Sequence, residues 1–351
     1  MDSIYLLLTP NCNLSCTYCF QTDSNTEFPG KQFHAQPREK ASIVMLKRFA
    51  EFCGENNISQ VEFFGGEPFL YRDLFMAAVE IIAATPGIRI GAVTNGTMID
   101  EDVMRLIEEH NISILLSLDG HEERHNQMRG SFQRIKPWFP RLTRIPNVTV
   151  ALQAGVISGL SHNVQYVWQQ GFENVYVNII ESYGWYEYHD TERFKAEYKS
   201  LLLAMLRGDG ILSCAIQISQ HLQDTVYRQG CGIAREGLAC DWRGRLFPCH
   251  RAVELGAQFS IGDIYTGIDS SLEKNIRNHI GRETFQSTSA GQYSLTSFCP
   301  VGIYKQHGDF SAAWSQSFCE MIEIKAKLVA NYFHAIQELK ERWTQQRPAL
   351  V

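Results

Sequence analysis

No stretch of this 351-residue chain approaches the roughly 18 consecutive apolar residues of a membrane-spanning helix, so no membrane partner is expected. Ile4–Leu8 is apolar but about one strand long, and no basic residue precedes it. It makes a poor export signal, and the expected location is the cytoplasm. An excess of positive charge is also missing. Lys and Arg number 32 against 38 Asp and Glu, a net charge of −6, which excludes a protein whose main business is gripping nucleic-acid phosphates. Internal repeats and low-complexity tracts are absent. With 44% hydrophobic and 20% charged residues, the composition excludes disorder as the main state. Cysteine is too scarce for a disulfide scaffold: ten in the whole chain, where such scaffolds exceed roughly 8%. A reducing cytosol keeps them as thiols, and thiols in clusters point to metal.

What is present is an alternation of strand and helix signals. Strands are expected at Ser3–Leu8, Gln60–Phe64, Arg89–Thr94, Ser113–Leu118, Val148–Val156 and Asn174–Ile180. Helices are expected at Lys40–Cys53, Leu74–Ala84, Glu101–Glu109, Asn163–Gln170 and Thr191–Arg207. Such spacing implies βαβ units and a parallel sheet. Six units before about residue 185 are too few for an eight-unit barrel of about 250 residues. The expected fold is therefore α/β, a partial (β/α)6 TIM-type barrel over residues 1–207. A smaller domain is expected over 208–351, with short β pieces at Leu238–Asp241 and Arg245–Pro248 and a terminal helix over Glu320–Gln345. In parallel α/β folds the chemistry sits at the C-terminal strand ends, and most of the unusual residues fall there.

Eight of the ten cysteines cluster; Cys53 and Cys214 stand apart and read as buried small hydrophobes. Cys12, Cys16 and Cys19 form C-x3-C-x2-C in the loop after the first strand, with Tyr18 before the third. Three thiolates on one loop can ligate three irons of a [4Fe–4S] cluster, leaving the fourth iron open. The plain alternative is a zinc knuckle, but no fourth Cys or His lies nearby. The pattern resembles the radical S-adenosylmethionine (radical SAM) superfamily, C-x3-C-x-aromatic-C. That resemblance implies that the open iron chelates SAM and that one electron from the cluster cleaves it to a 5′-deoxyadenosyl radical, which abstracts hydrogen from substrate. It also implies an external reductant such as flavodoxin or ferredoxin. Gly65-Gly66-Glu67-Pro68 looks like the family's GGEP motif, in which Gly65 and Gly66 would let backbone carbonyls reach the SAM ammonium and Glu67 would accept from it. Asn95 ends the third strand as a further cofactor-side candidate. Ser117-Leu118-Asp119-Gly120 with His125, Arg129 and Gly130-Ser131-Phe132 looks like an SLDG…H…R…GSF stretch. By that resemblance Ser117 and Arg129 would touch the carboxylate or ribose of SAM. Their plain alternatives are a strand-end cap and a surface salt bridge. Gln153 is a weaker polar candidate, with a satisfied core amide as its alternative.

Cys231 to Cys249 spans C-x12-G-x4-C with Cys240 between, ending Phe247-Pro248-Cys249-His250-Arg251 and followed by Ile261-Gly262-Asp263-Ile264. This resembles the radical SAM subgroup with C-terminal SPASM or twitch extensions. The departure comes next. Cys299 and Cys319 match two of the later SPASM cysteines, but Thr296, Lys305 and Asp309 stand where others belong. Two fully thiolate-ligated auxiliary clusters need about eight ligands, so one auxiliary [4Fe–4S] cluster is expected, on Cys231, Cys240 and Cys249 with Cys299 or Cys319. A structural zinc on the same thiolates is the alternative.

The subgroup resemblance implies an oxidoreductase that modifies a ribosomally made peptide by crosslinking, oxidation or epimerisation, a peptide maturase. A dehydrogenase or epimerase of a sugar or aminocyclitol is the alternative. Sulfatase-maturing members carry an Asp base directly after the cysteine that His250 follows here, so His250 is a catalytic candidate. The first cysteine comes at residue 12, so a fused leader-binding domain of about 80 residues is not expected. A peptide substrate would then need a separate leader-recognition protein, or recognition by the barrel. Anaerobically reconstituted protein is expected to hold about eight irons as two cubanes, and the triple Cys12, Cys16, Cys19→Ala variant about four. Iron analysis checks this, and about twelve irons in the unaltered protein would overturn the ligand arithmetic.

Overall fold

The alternating half of the chain folds as parallel strands joined by helices. A computed structural model describes residues 2–21, 39–145, 147–153, 159–178, 190–206 and 237–275, with 299, 301, 302, 304, 308 and scattered positions from 320 to 341. The elements in order are β1 (Ser3–Thr9), α1 (Ile43–Glu55), β2 (Gln60–Gly65), α2 (Arg72–Ala83), β3 (Arg89–Thr94), α3 (Glu101–Glu109) and β4 (Ser113–Ser117). Then come α4 (Glu122–Met128), α5 (Phe132–Ile135), α6 (Phe139–Leu142), β5 (Val148–Gln153), α7 (Leu160–Gln169), β6 (Asn174–Asn178) and α8 (Asp190–Leu206). The α/β class and the six βα strands match the expectation to within a few residues. The three short helices α4 to α6 are additional to that expectation: α4 carries a single apolar residue, Met128, whereas Phe132, Ile135, Phe139 and Leu142 follow helical spacing across α5 and α6 and are all buried. No helix among the described residues is long and apolar enough to cross a membrane.

The chain divides into two compact units. One holds Met1–Ser117, His125–Val148 and Gly232–Ile280; the other holds Leu118–Arg124, Thr149–Cys231 and Gly281–Val351. In the first, β1 to β4 pair in parallel in chain order. Alternate side chains of a strand point to opposite faces. The row Ile4, Val61, Ile90 and the row Leu6, Phe63, Ala92 are in register and buried. Phe63 meets Phe75 of α2 edge to face, centroids 5.2 Å apart, so this is the face that α1 and α2 cover. Burying one such ring contributes about 2–3 kcal/mol. Capping is as sequence chemistry requires. Ser42 accepts from the amide of Met45 at 3.1 Å ahead of α1, and Asp100 accepts from the amides of Asp102 and Val103 ahead of α3.

In the second unit β5 and β6 pair in parallel. Leu160, Val164 and Val167 of α7, and Phe194, Tyr198, Leu201 and Leu202 of α8, are buried. Phe194 and Tyr198 stack at 5.4 Å, and Glu197 accepts from the amide of Gly159 at 2.9 Å. The expected terminal helix falls largely outside the described residues; its described positions from 320 to 341 are helical.

The two short β pieces of the later segment add to the first unit. β7 (Leu238–Cys240) pairs in parallel with the free edge of β1, and β8 (Arg245–Phe247), β9 (Gly262–Asp263) and β10 (Gly267–Ile268) continue antiparallel from it. The β7–β8 turn is built on fully buried Asp241. Its Oδ1 accepts from the amides of Arg243 and Arg245, both at 2.9 Å, and its Oδ2 accepts from Arg245 Nε at 2.7 Å. Gly244, at φ +88°, closes the turn in a conformation that L side chains avoid.

Glu62 lies over Gly91 of the neighbouring strand, where a Cβ would overlap its carboxylate. Desolvation raises its pKa, opposed by a hydrogen bond from Gln60. As pH rises the unfolded chain therefore loses this proton first, and stability falls between the ordinary carboxylate pKa and the raised one. Glu62→Gln is expected to melt at a higher temperature than the unaltered protein at about pH 8, with the margin closing towards about pH 4. Thermal melts across that range check it; a margin independent of pH would show that ionisation is not the cause.

Candidate functional site

The cysteine loop leaves β1 at Thr9 and is held at its base by the end of β2. The Gly66 amide donates to Thr9 O at 3.0 Å, and the Glu67 amide donates to Asn11 O at 2.9 Å. Both bonds need bare backbone. Gly65 sits at φ +124°, where a Cβ would overlap the Thr9 carbonyl, and a Cβ on Gly66 would overlap the Asn11 carbonyl. The glycine pair thus serves the seating of the loop, whereas the sequence pattern suggested only close approach to a ligand. Thr9 Oγ1 and Asn11 Nδ2 both donate to Glu39 O, at 2.6 and 3.3 Å.

Cys12 and Cys19 are half-buried and Cys16 is buried. Burial pushes the Cys12 thiol up to about 12 and the Cys19 thiol up to about 11, and the neighbouring cysteines reinforce each shift. The sulfurs are met by donors. Leu14 N lies 3.5 Å and Asn95 Nδ2 3.8 Å from Cys12 Sγ, and an Arg129 guanidinium nitrogen lies 3.7 Å from Cys16 Sγ. Asn95 is fixed in turn. Its Nδ2 donates to Asn13 Oδ1 at 3.0 Å, and its Oδ1 accepts from Thr97 N and Oγ1 at 2.9 and 2.6 Å. Arg129 also lies over the Tyr18 ring at 5.1 Å.

Glu67 is 1% exposed. Its Oε1 accepts from Thr94 Oγ1 at 2.7 Å and Phe69 N at 3.1 Å, and its Oε2 from Asn95 N at 2.8 Å. Burial still pushes it up to about 7. Its carboxylate ties the end of β2 to the end of β3, a role the motif alone did not reveal. Ser117 ends β4, half-exposed. Gln153 ends β5, and its side chain lies outside the described residues.

His250 packs against Tyr5 at 4.6 Å and Phe64 at 4.8 Å, with Phe20 at 6.1 Å. Desolvation, then the charge of Arg251, pushes the imidazole down to about 3, so it is a neutral ring whose surroundings oppose taking up a proton. The aromatic cage went unnoticed in the sequence. Its signal was the aromatic pair Tyr5 and Phe64, which share the strand face opposite Ile4 and Leu6. Cys240 stands across from Leu6 and so on that other, helix-covered face. Fully buried, with its pKa raised well above the ordinary thiol value by desolvation and then by Asp241 and Cys53, it belongs to the core beside Cys53. Cys249 and Cys299 are half-buried; Cys231 and Cys319 lie outside the described residues.

The radical SAM superfamily model matches residues 6–149. The chain carries a radical SAM domain. A GTP 3′,8-cyclase of Chlorobaculum tepidum is 27% identical over 167 residues, 46% of this chain and 47% of that protein. A cysteine-type anaerobic sulfatase-maturating enzyme of Clostridium novyi is 32% identical over 149 residues, 38% of this chain and 39% of that protein. The chain thus matches less than half the length of these two relatives. The solved structure of anSMEcpe with bound AdoMet shares the fold at a TM-score of 0.74 and 17% identity, covering 97% of this chain and all of that one. That enzyme has also been solved with AdoMet and a peptide named Kp18Cys.

The residues of the radical SAM domain fit the cluster the family implies. Among the described residues no three His, Cys, Asp or Glu side chains converge on a point for one metal ion. A cubane instead takes one thiolate at each of three separate irons, and here three cysteines on one loop are each shifted or contacted by polar neighbours. Gly66→Ala is expected to unseat the loop and halve the bound iron, to about four of about eight, with the melting temperature falling less than the iron does. Iron analysis beside thermal melts checks this, and full iron in the variant would show that the loop does not depend on the glycine.

Proposed function

We propose that this protein is a radical SAM peptide maturase acting in the cytoplasm, drawing electrons from an external flavodoxin or ferredoxin. The observation that carries the reading is the fold shared along 97% of the chain with anSMEcpe, which has also been solved with the Kp18Cys peptide. When bound, the cluster and SAM supply the carbon radical that abstracts hydrogen. Cys12, Cys16 and Cys19 would hold the cluster, while Asn95 and Arg129 steady its sulfurs. Gly65, Gly66 and Glu67 hold the loop that carries those thiolates. Ser117 and Gln153, each ending its strand, would border the SAM pocket with Arg129. His250 would serve as a neutral hydrogen-bonding ring on the substrate side, since its surroundings disfavour a base. Residues 208–351 would form the auxiliary module, with one further cluster on Cys231 and Cys249 and on Cys299 or Cys319, accepting the electron left after hydrogen abstraction.

A small-molecule substrate is the second reading, supported by the cyclase relative. The two separate on one experiment. Co-expression with a short peptide encoded beside the gene is expected to yield a product lighter by about two mass units, the signature of a net two-electron oxidation. An unchanged mass with one deuterium gained from heavy water would replace oxidation by epimerisation. No such peptide, and turnover of a sugar, aminocyclitol or nucleotide instead, would overturn the maturase reading.

A further inference from the structure

The chain reverses abruptly after α4. Gly130 sits at φ +64° and Ser131 at φ +150°, a backbone region that costs a non-glycine residue on the order of 1–3 kcal/mol. Ser131 is held there from several sides. Asn126 Oδ1 accepts from the amides of Ser131 at 2.9 Å and Phe132 at 3.0 Å, and His125 Nε2 lies 3.3 Å from Ser131 Oγ. His125 is fully buried and Phe132 nearly so, and their rings meet edge to face at 5.8 Å. The same corner grips the cysteine loop. Met128 O accepts from Thr17 N at 3.0 Å, while Arg129 lies over Tyr18 and against Cys16 Sγ.

We propose that this strained corner is a positioning device that presses the Arg129 guanidinium onto the Cys16 sulfur, setting the reduction potential of the cluster held by that loop, with Asn126 and Ser131 as positioning residues. The inference rests on the radical SAM cluster reading above. Reduction adds negative charge to a cluster, and a cation or hydrogen bond at a ligand sulfur favours the reduced form and raises the potential. Arg129 also acts electrostatically on Cys19 and Glu67, so its charge reaches beyond one sulfur. The strain has a use in this arrangement. A relaxed turn at Ser131 would redirect the segment that carries Arg129.

The test is an anaerobic redox titration of the reconstituted full-length protein without SAM, followed by electron paramagnetic resonance. The signal of interest is the one missing from the triple Cys12, Cys16, Cys19→Ala variant. Arg129→Gln is expected to shift its midpoint to more negative potential, and Asn126→Ala to shift it the same way by less. Asn126→Ala combined with Ser131→Gly is expected to return most of that second shift, because glycine adopts the turn without the asparagine. An unchanged midpoint in Arg129→Gln overturns the proposal even if the Asn126 variants fail to fold. A shift in Asn126→Ala that the added glycine does not reverse overturns the role of the strained corner. Unaltered protein that assembles no redox-active cluster on these cysteines overturns the underlying reading itself, a result distinct from either.

Discussion

Two backbone hydrogen bonds between the end of β2 and the start of the cysteine loop are the contact on which the site depends. They join Gly66 to Thr9 and Glu67 to Asn11, and they form only because neither residue 65 nor residue 66 carries a side chain. The consequence runs in both directions along the chain. Towards the N-terminus the contact fixes where the thiol-bearing loop leaves the sheet. Towards the C-terminus it delivers Glu67 into the core, where three donors from two loops converge on one carboxylate. A backbone-to-backbone seat is stiffer than one made of side chains, since it has no rotamers to lose. Arg129 and Asn95 then approach sulfurs whose positions are already determined.

Desolvation and charge together govern the chemistry of the site. Burial raises the Cys12 and Cys19 thiols and the Glu67 carboxyl alike, so without metal this region favours protonated, neutral groups. Metal ligation requires thiolates, and loading must expel their protons. The donors around the sulfurs, an asparagine amide, a backbone amide and a guanidinium, stabilise the deprotonated state that ligation creates. Glu67 is subject to the same two opposing influences. Burial pushes its carboxyl up to about 7, while the hydrogen bonds from Thr94, Asn95 and Phe69 and the charge of Arg129 pull the other way.

The β7–β8 hairpin shows how a remote segment reaches this neighbourhood. β7 adds to the edge of β1, and the hairpin's exit carries His250 against Tyr5 and Phe64. The period-two alternation of the strand assigns its residues to sides. Cys240 goes to the helix-covered side with Leu6 and Cys53, whereas His250 meets the aromatic residues of the other side. Two residues only ten positions apart in the chain thus enter different environments.

The parallel α/β class, the limits of β3 and α3, the three-cysteine loop and its place after the first strand were all determined by local sequence. Periodicity and turn chemistry act over a few residues, and so does the C-x3-C-x2-C spacing. Tertiary structure alone decided the rest. That Gly65 and Gly66 seat a loop, that Glu67 is a buried strut, that Cys240 is core and that His250 is a caged neutral ring each follow from contacts between residues far apart in the chain. Nothing in a single sequence states which strand face meets which neighbour, or how much water remains beside a titratable group. Those are properties of the packed interior, where register assigns the face and burial sets the charge.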